Sequence, residues 1–159
     1  YVYAVKELDT RREIEIDLEG ARVKNVNNVN NRAEVRLNTA PVWDLEIDAG
    51  AADIELDLSQ FKVRSLDIDG GASAIEVKLG DLYDNSELSI DAGASSIDIH
   101  IPKNVACEVN SSAILSSRDF DGFNKVASGT WVTPGFADAD KNLIINIDVA
   151  VSSLNIKRY

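Results

Sequence analysis

A column of aspartates is the feature of this sequence that comes closest to a chemical site. Asp48, Asp69 and Asp91 occupy equivalent places in three consecutive stretches, at spacings of 21 and 22 residues, and Asp148 occupies that place in a weaker fourth copy. If equivalent residues stack in a parallel sheet, their carboxylates lie ~4.8 Å apart. Neighbouring charges at that spacing repel by ~1 kcal/mol in water. We favour relief by hydrogen bonds from backbone N–H groups of the turn that follows each aspartate. The weaker alternative is a bound cation such as Ca²⁺, whose candidate ligands are these carboxylates.

The other titratable residues show no pattern typical of an enzyme. His100 is the only histidine, and Cys107 is the only cysteine, which alternation places on the inner face of its strand. The sequence contains no Ser-His-Asp arrangement, no Cys/His cluster and no glycine-rich phosphate loop. Outward acids are so numerous that a pair resembling glycosidase carboxylates carries no specificity. We therefore predict no enzyme activity, no catalytic residue and no cofactor.

Two aromatic residues are the candidates for partner binding. Trp131 follows the polar segment Ser128 to Thr130, and Phe136 lies a few residues further on. Aromatic side chains beside polar loops bind sugars or protein partners. A commoner use of such residues is to close the end of a hydrophobic core, and the sequence leaves both interpretations open.

The elements that must position these residues are repeats. The stretches LEIDAGAADIELDL, LDIDGGASAIEVKL and LSIDAGASSIDIHI begin at Leu45, Leu66 and Leu88, and INIDVAVSSLNIKR begins at Ile145. A fifth copy is indicated at Ile14. Apolar and polar residues alternate along each copy, which is typical of strands with one exposed face. A corner of glycine and other small residues is predicted to separate two strands within each copy.

Two architectures fit these repeats. In one, the strands form hairpins and an antiparallel meander, and in the other each copy is one coil of a stack. The near-equal spacing favours the stack. We predict an all-β, single-stranded β-solenoid, a right-handed parallel β-helix-like fold of ~21-residue coils with capped ends. Residues 1–42 are predicted to be N-terminal cap strands of the same domain, and residues 43–159 to be the solenoid repeats with a C-terminal aromatic loop region and a final coil.

The charge of the chain excludes some partners. Residues 43–101 carry 14 acidic and three basic residues, and the difference equals the net charge of −11. Such a field repels nucleic acid phosphates and anionic lipids, so we expect no nucleic acid partner. No apolar run approaches the ~20 residues needed to span a bilayer. The chain begins at Tyr1 and contains no methionine, so we expect a piece of a longer protein that meets the membrane only through an upstream segment.

The C-terminal half also carries a family resemblance. The strings that carry it are IDIHIP at Ile97, FDGF at Phe120, SGTW at Ser128, INID at Ile145 and VSSLNI at Val151. They resemble the C-terminal domain of bacterial cell-wall-active antibiotic response (LiaF-like) proteins, in the wider group called toast-rack or putative adhesin domains of unknown function. The resemblance covers roughly residues 43–159. It implies a β-solenoid, often tethered after hydrophobic N-terminal helices, that acts through protein contacts in envelope-stress regulation and has no agreed catalytic residues.

From this resemblance we expect a non-enzymatic interaction or regulatory domain of a membrane-associated envelope protein of the cell-wall stress response. Its location would be the bacterial cell envelope, tethered to the membrane. Its partner would be another envelope protein, such as a membrane sensor. The alternative is a surface adhesin or a carbohydrate-binding module.

Overall fold

The structure divides into two compact units, Tyr1–Arg36 and Leu37–Tyr159. It is a computed structural model that describes residues 2–8, 11–17, 32–112 and 117–159. In the first unit, β1 (Val2–Leu8) pairs antiparallel with β2 (Arg11–Asp17). The fifth repeat copy predicted at Ile14 therefore begins in an antiparallel pair, and its remainder past residue 17 lies outside the described residues. That residues 1–42 cap the stack stays a prediction.

The second unit contains one sheet of eight described strands. Their bounds are β3 (Val42–Leu58), β4 (Lys62–Leu79), β5 (Asn85–Ile101), β6 (Ala106–Ser111), β7 (Ser117–Phe120), β8 (Asn124–Ala127), β9 (Thr130–Val132) and β10 (Asn142–Arg158). A short 3-10 turn, Phe136–Asp138, precedes β10. The order in the sheet is β3-β4-β5-β10-β6-β9-β8, and β7 pairs with β10. The all-β prediction is confirmed, and the described residues contain no helix with the length and apolar composition needed to cross a membrane.

The repeats stack in parallel with equivalent residues paired. Leu45 pairs with Leu66, Leu66 with Leu88, and Leu88 with Ile145. Parallel pairing excludes the antiparallel meander for these copies. The right-handedness and the coil size of the predicted solenoid stay predictions.

Each copy is one long strand, which corrects the predicted division into two strands at a corner. β3 and β5 each have 17 residues and run without interruption through the small-residue segment. Small side chains allow the backbones to approach closely there. A Cβ at Gly71 would lie 2.2 Å from the carbonyl oxygen of Gly50, and one at Gly93 would lie 2.4 Å from that of Gly71. Glycine is required at these two positions because the obstructing atom belongs to the backbone.

Alternation along the strands builds the core. Leu66, Leu88 and Ile145 have no exposed surface, and they pack in one cluster with the other inward Leu, Ile and Val side chains. Burying one such side chain contributes about 1.5–3 kcal/mol, which is why the Leu, Ile and Val positions recur on the inner face of the repeats. The charged residues between them point outward, where most are exposed and Lys78 and Asp98 are half-buried.

The order of the strands differs from the order of the chain. β10, which carries the fourth copy, pairs with β5 on one side and with β6 and β7 on the other. β6 and β7 thus form a further layer of the stack in a segment that the sequence assigned to the aromatic loop region. Beyond β6 the sheet continues with β9 and β8, which pair antiparallel.

Candidate functional site

A groove of about 560 Å³ lies in the second unit, and we name it the polar groove for the acidic and amide side chains that line it. Its lining also includes the buried Ile68, Ile90 and Ile147. It crosses β4, β5, β10 and β6, and the turn between β8 and β9 borders it. The side chains that give the polar groove its character belong to two groups. The acids are Asp67, Asp69, Asp91 and Asp148, and the neutral polar residues include Ser89, Asn110, Asn146 and Thr130.

The acids come from the predicted column. Asp69 pairs with Asp91, Asp91 pairs with Asp148, and all three side chains are exposed. Asp48 continues the column on β3, and it does not line the polar groove. The register prediction is therefore correct for all four aspartates.

The structure describes no turn hydrogen bond of the kind that we favoured for relieving this column. Asp48, Asp69 and Asp91 precede a segment that stays in the sheet, so no turn follows them. Among the described residues, no set of three His, Cys, Asp or Glu side chains is placed to hold a metal ion. The Ca²⁺ site remains a prediction. The column is left as a row of solvated carboxylates.

A network of side-chain amides runs across the polar groove at the level of Asn146. The Thr130 hydroxyl donates to Asn110 Oδ1 (3.1 Å), and Asn110 Nδ2 donates to Asn146 Oδ1 (3.3 Å) and to Glu108 Oε1 (3.0 Å). Asn146 Nδ2 donates to Glu87 Oε1 (2.9 Å). These bonds connect β9, β6, β10 and β5 and fix the orientation of both amides. Amides held in this way are suited to receive ammonium or hydroxyl groups of a ligand.

The bordering turn is held against β6 by its backbone. The Ser111 N–H donates to the Gly129 carbonyl oxygen (2.8 Å). Gly129 has φ +81°, and a Cβ there would lie 2.9 Å from the Ser111 carbonyl oxygen. A left-handed conformation and this close approach both favour glycine. The side of the polar groove is therefore a fixed part of the sheet.

The polar groove has the chemistry of a binding surface. Four carboxylates line it, and its lining contains no lysine, arginine, histidine or cysteine. Cys107 has no exposed surface, and burial raises the pKa of its thiol, which confirms the predicted buried thiol and disfavours its ionised, nucleophilic form. His100 lies outside the polar groove, with Nε2 3.6 Å from Glu76 Oε1.

The two aromatic candidates lie elsewhere. Trp131 is partly buried against the core, and its ring meets the Phe120 ring edge-on at 5.0 Å. Arg118 Cζ and Lys125 Nζ lie 5.1 and 5.6 Å from the centre of its ring. Phe136 is half-buried in the 3-10 turn. Neither Trp131 nor Phe136 lines the polar groove, and their contact with a partner stays a prediction.

Sequence reasoning missed the neutral half of the site. Asn146 carried a usable signal, because it pairs with Ser89, two residues before the aspartate of its copy. Asn110 and Thr130 carried none, because they lie in segments without a recognisable repeat. Only the pairing of β6 with β9 brings these two residues together.

Comparison with known proteins identifies the family. A family model described as the N-terminal domain of toast_rack, DUF2154, matches residues 3–100. This match extends further toward the N-terminus than the motifs that carry the resemblance, several of which follow residue 100. The crystal structure of a putative cell adhesion protein from Clostridium sporogenes ATCC 15579 has a similar fold, with a TM-score of 0.90 and 19% identity over 99% of this chain and 76% of that chain. No curated protein matches the chain. The chain belongs to the toast-rack family, as the resemblance predicted.

Proposed function

We propose that this toast-rack domain is a non-enzymatic interaction domain whose polar groove receives a basic segment of a protein partner. The observation that carries the proposal is the lining of the polar groove, which has four carboxylates, no basic side chain and amides held in fixed orientations. Lysine and arginine side chains complement such a surface in charge and in hydrogen-bonding capacity.

The acid column gives a physical reason for a cationic ligand. Asp69, Asp91 and Asp148 are neighbours in a parallel sheet, and each adjacent pair repels by ~1 kcal/mol in water at ~4.8 Å. A cationic group placed between two carboxylates replaces that repulsion with attraction. The field of the whole chain, with a net charge of −11, steers cations toward this face and makes the association sensitive to salt.

The proposed setting is the bacterial cell envelope. The domain would belong to a membrane-associated protein of the cell-wall stress response, tethered by a segment upstream of Tyr1, and its partner would be an envelope protein such as a membrane sensor. Membership of the toast-rack family supports the interaction role, and the groove lining contains no histidine, cysteine or lysine that could serve as a base or activated nucleophile.

The test compares two sets of charge substitutions. Asp69→Asn, Asp91→Asn and Asp148→Asn together remove three charges from the polar groove. The matched control removes three charges from the column Glu55, Glu76 and Asp98, which is in register on the far halves of β3, β4 and β5. Both variants have the same net charge.

A lysine-rich synthetic peptide is titrated into each variant by calorimetry at two salt concentrations. We expect the polar groove variant to lose affinity by about threefold to a hundredfold, because three exposed ion pairs contribute about 0.2–1 kcal/mol each and 1.4 kcal/mol is tenfold. The control is expected to bind nearly as the unmodified domain does. Equal losses in both variants would show that only net charge matters and would refute the proposal. Calorimetric titration of the domain with CaCl₂ tests the predicted cation site. If Ca²⁺ produces no heat and does not shift the melting temperature, the cation site is ruled out.

The second candidate is a surface adhesin or carbohydrate-binding module. Asn110, Asn146 and Thr130 offer oriented polar atoms suited to sugar hydroxyls, and the similar crystal structure is described as that of a putative cell adhesion protein. A glycan array separates the candidates. Sugar binding that is lost in Asn146→Ala, or in Trp131→Ala for a site at the aromatic cluster, would favour the adhesin.

A further inference from the structure

The last strand of the chain lies in the interior of the sheet. β10 separates β5 from β6 and β7, although β6 and β7 follow β5 directly in sequence. Among the described pairings, β6 and β7 join the parallel part of the sheet through β10 alone. We use the name slot for the space between β5 on one side and β6 with β7 on the other, which β10 occupies.

The two sides of the slot match one another in register. Asn142 faces Asn85 on one side and Ala106 on the other, and Ser153 faces Ser96 and Ser117. The two residues that flank β10 are thus 21 positions apart in sequence at both places, Asn85 with Ala106 and Ser96 with Ser117. That step also separates Leu45 from Leu66, which are paired on adjacent strands.

This equal step makes release of β10 less costly than release of an ordinary interior strand. β6 can move one position and pair with β5 while its inward residues stay inward, since Leu88 and Val109 are buried in equivalent places. β7 can follow in the same register, which sets the exposed Arg118 beside Ile97. Like charges would then meet at two places, Glu87 beside Glu108 and Asp98 beside Asp119, each with a repulsion of ~1 kcal/mol in water. The slot can therefore close temporarily behind a departed β10.

The contacts that hold the ends of β10 are made largely to backbone carbonyls. Lys141 Nζ donates to the Asp81 carbonyl (2.6 Å), and the Asn142 N–H donates to the Asp84 carbonyl (2.7 Å). Arg158 donates to the carbonyls of Lys103 and Val105. A second copy of the chain offers the same acceptors in the same places. Residues 133–141, which connect β9 to β10, span up to about 30 Å when extended.

From these observations we propose that β10 is an exchangeable strand that occupies the slot of a second copy of this chain. Exchange preserves every contact of β10, so the exchanged and unexchanged forms differ mainly in the entropy of the connecting segment and in protein concentration. A reciprocal exchange gives a two-fold dimer. Asn146 and Asp148 lie on β10, so each polar groove of that dimer is built from both chains.

The test places single cysteines on two differently tagged copies. One copy carries Ser89→Cys and the other carries Asn146→Cys, two facing positions of β5 and β10. Neighbouring parallel strands have a Cα separation within the range that a disulfide bridges. The two full-length chains are unfolded together, refolded at high concentration and oxidised. A disulfide-linked heterodimer that carries both tags is expected, because these residues meet across chains only when β10 is exchanged.

The control pair is Asp67→Cys with Ser89→Cys. These residues also face one another, on β4 and β5. Both precede the connecting segment, so exchange of β10 does not bring residue 67 of one copy next to residue 89 of the other. Cys107 is present in every variant and contributes equally to both pairs. The unmodified chain, refolded at high concentration, is expected to give a dimer by light scattering. Equal crosslinking in the control pair, a dimer without the Ser89–Asn146 crosslink, or a monomer at all concentrations would overturn the proposal.

Discussion

Replacement of Gly93 by alanine tests whether the close approach of neighbouring strands determines the stability of the stack. A Cβ at residue 93 would lie 2.4 Å from the Gly71 carbonyl oxygen, and real Cβ contacts essentially never fall below 3.0 Å. The strands must therefore separate by about 0.6 Å or more at this point, because the obstructing atom is backbone and has no rotamer that avoids the clash.

The cost follows from this displacement. Overpacking a well-filled site destabilises by about 1–3 kcal/mol, and each weakened ladder hydrogen bond costs about 1 kcal/mol. Alanine recovers about 0.4–1 kcal/mol because it restricts the unfolded chain. We expect a net loss of about 2 kcal/mol in the free energy of unfolding, which lowers the melting temperature of a domain of this size by about 4–8 °C.

Gly50→Ala is the matched control. Gly50 occupies the equivalent position on β3, and no described atom lies within 4 Å of a Cβ built there. This substitution is expected to be neutral or to stabilise by up to about 1 kcal/mol. Urea unfolding followed by circular dichroism measures both variants. If their unfolding free energies agree within about 0.5 kcal/mol, the steric reasoning is refuted.

Three further predictions concern single side chains. Trp131→Ala is expected to destabilise the domain by about 2 kcal/mol or more, because the ring packs on the core; an unchanged urea midpoint would show that Trp131 is not part of the scaffold. Cys107 is expected to resist thiol-reactive dyes in the folded protein at mildly alkaline pH and to react on unfolding, because burial raises its pKa; rapid labelling of the native chain would contradict this. Hydrogen bonds from the Ser59 side chain and backbone lower the pKa of Asp57 from 3.8. The ionised Asp57 carboxylate therefore stabilises the folded state above that pH, and this contribution is lost as the pH falls through the lowered pKa. Ser59→Ala should therefore flatten the acid dependence of the unfolding free energy measured between about pH 5 and pH 2, and an unchanged slope would contradict the assignment.

The stacked repeats were predictable because their signal is local. Strict alternation identifies the inward face, and copies of nearly equal length place Leu45, Leu66 and Leu88 in one register before any packing is considered. The fourth copy at Ile145 was recognised for the same reason. The long uninterrupted strands were not predicted, because a glycine-containing segment is typical of a turn and also of a close strand approach.

The layer formed by β6 and β7 was missed because its sequence has drifted from the repeat. Arg118 occupies the place that Leu154 holds on β10 and Ile97 holds on β5. Leu154 and Ile97 are buried between two layers, whereas Arg118 is exposed and lies over Trp131. Apolar residues are less strongly required in a layer near the end of a stack. The alternation of apolar and polar residues is therefore weaker in β6 and β7, and the sequence does not reveal this layer.

By itself, the sequence determined which side chains of the repeats face inward and which acids form a column, because alternation and spacing fix both along each strand. Only the tertiary structure decided which strands are neighbours. The step from β5 to β6 and β7 equals a normal repeat step, so the sequence would allow them to pair directly. Instead β10 enters between them, with fully buried Ile145 and Ile156. A strand with a more complete apolar face gains more stability when it has neighbours on both sides. This difference places β10 in the interior of the sheet, where it completes the polar groove.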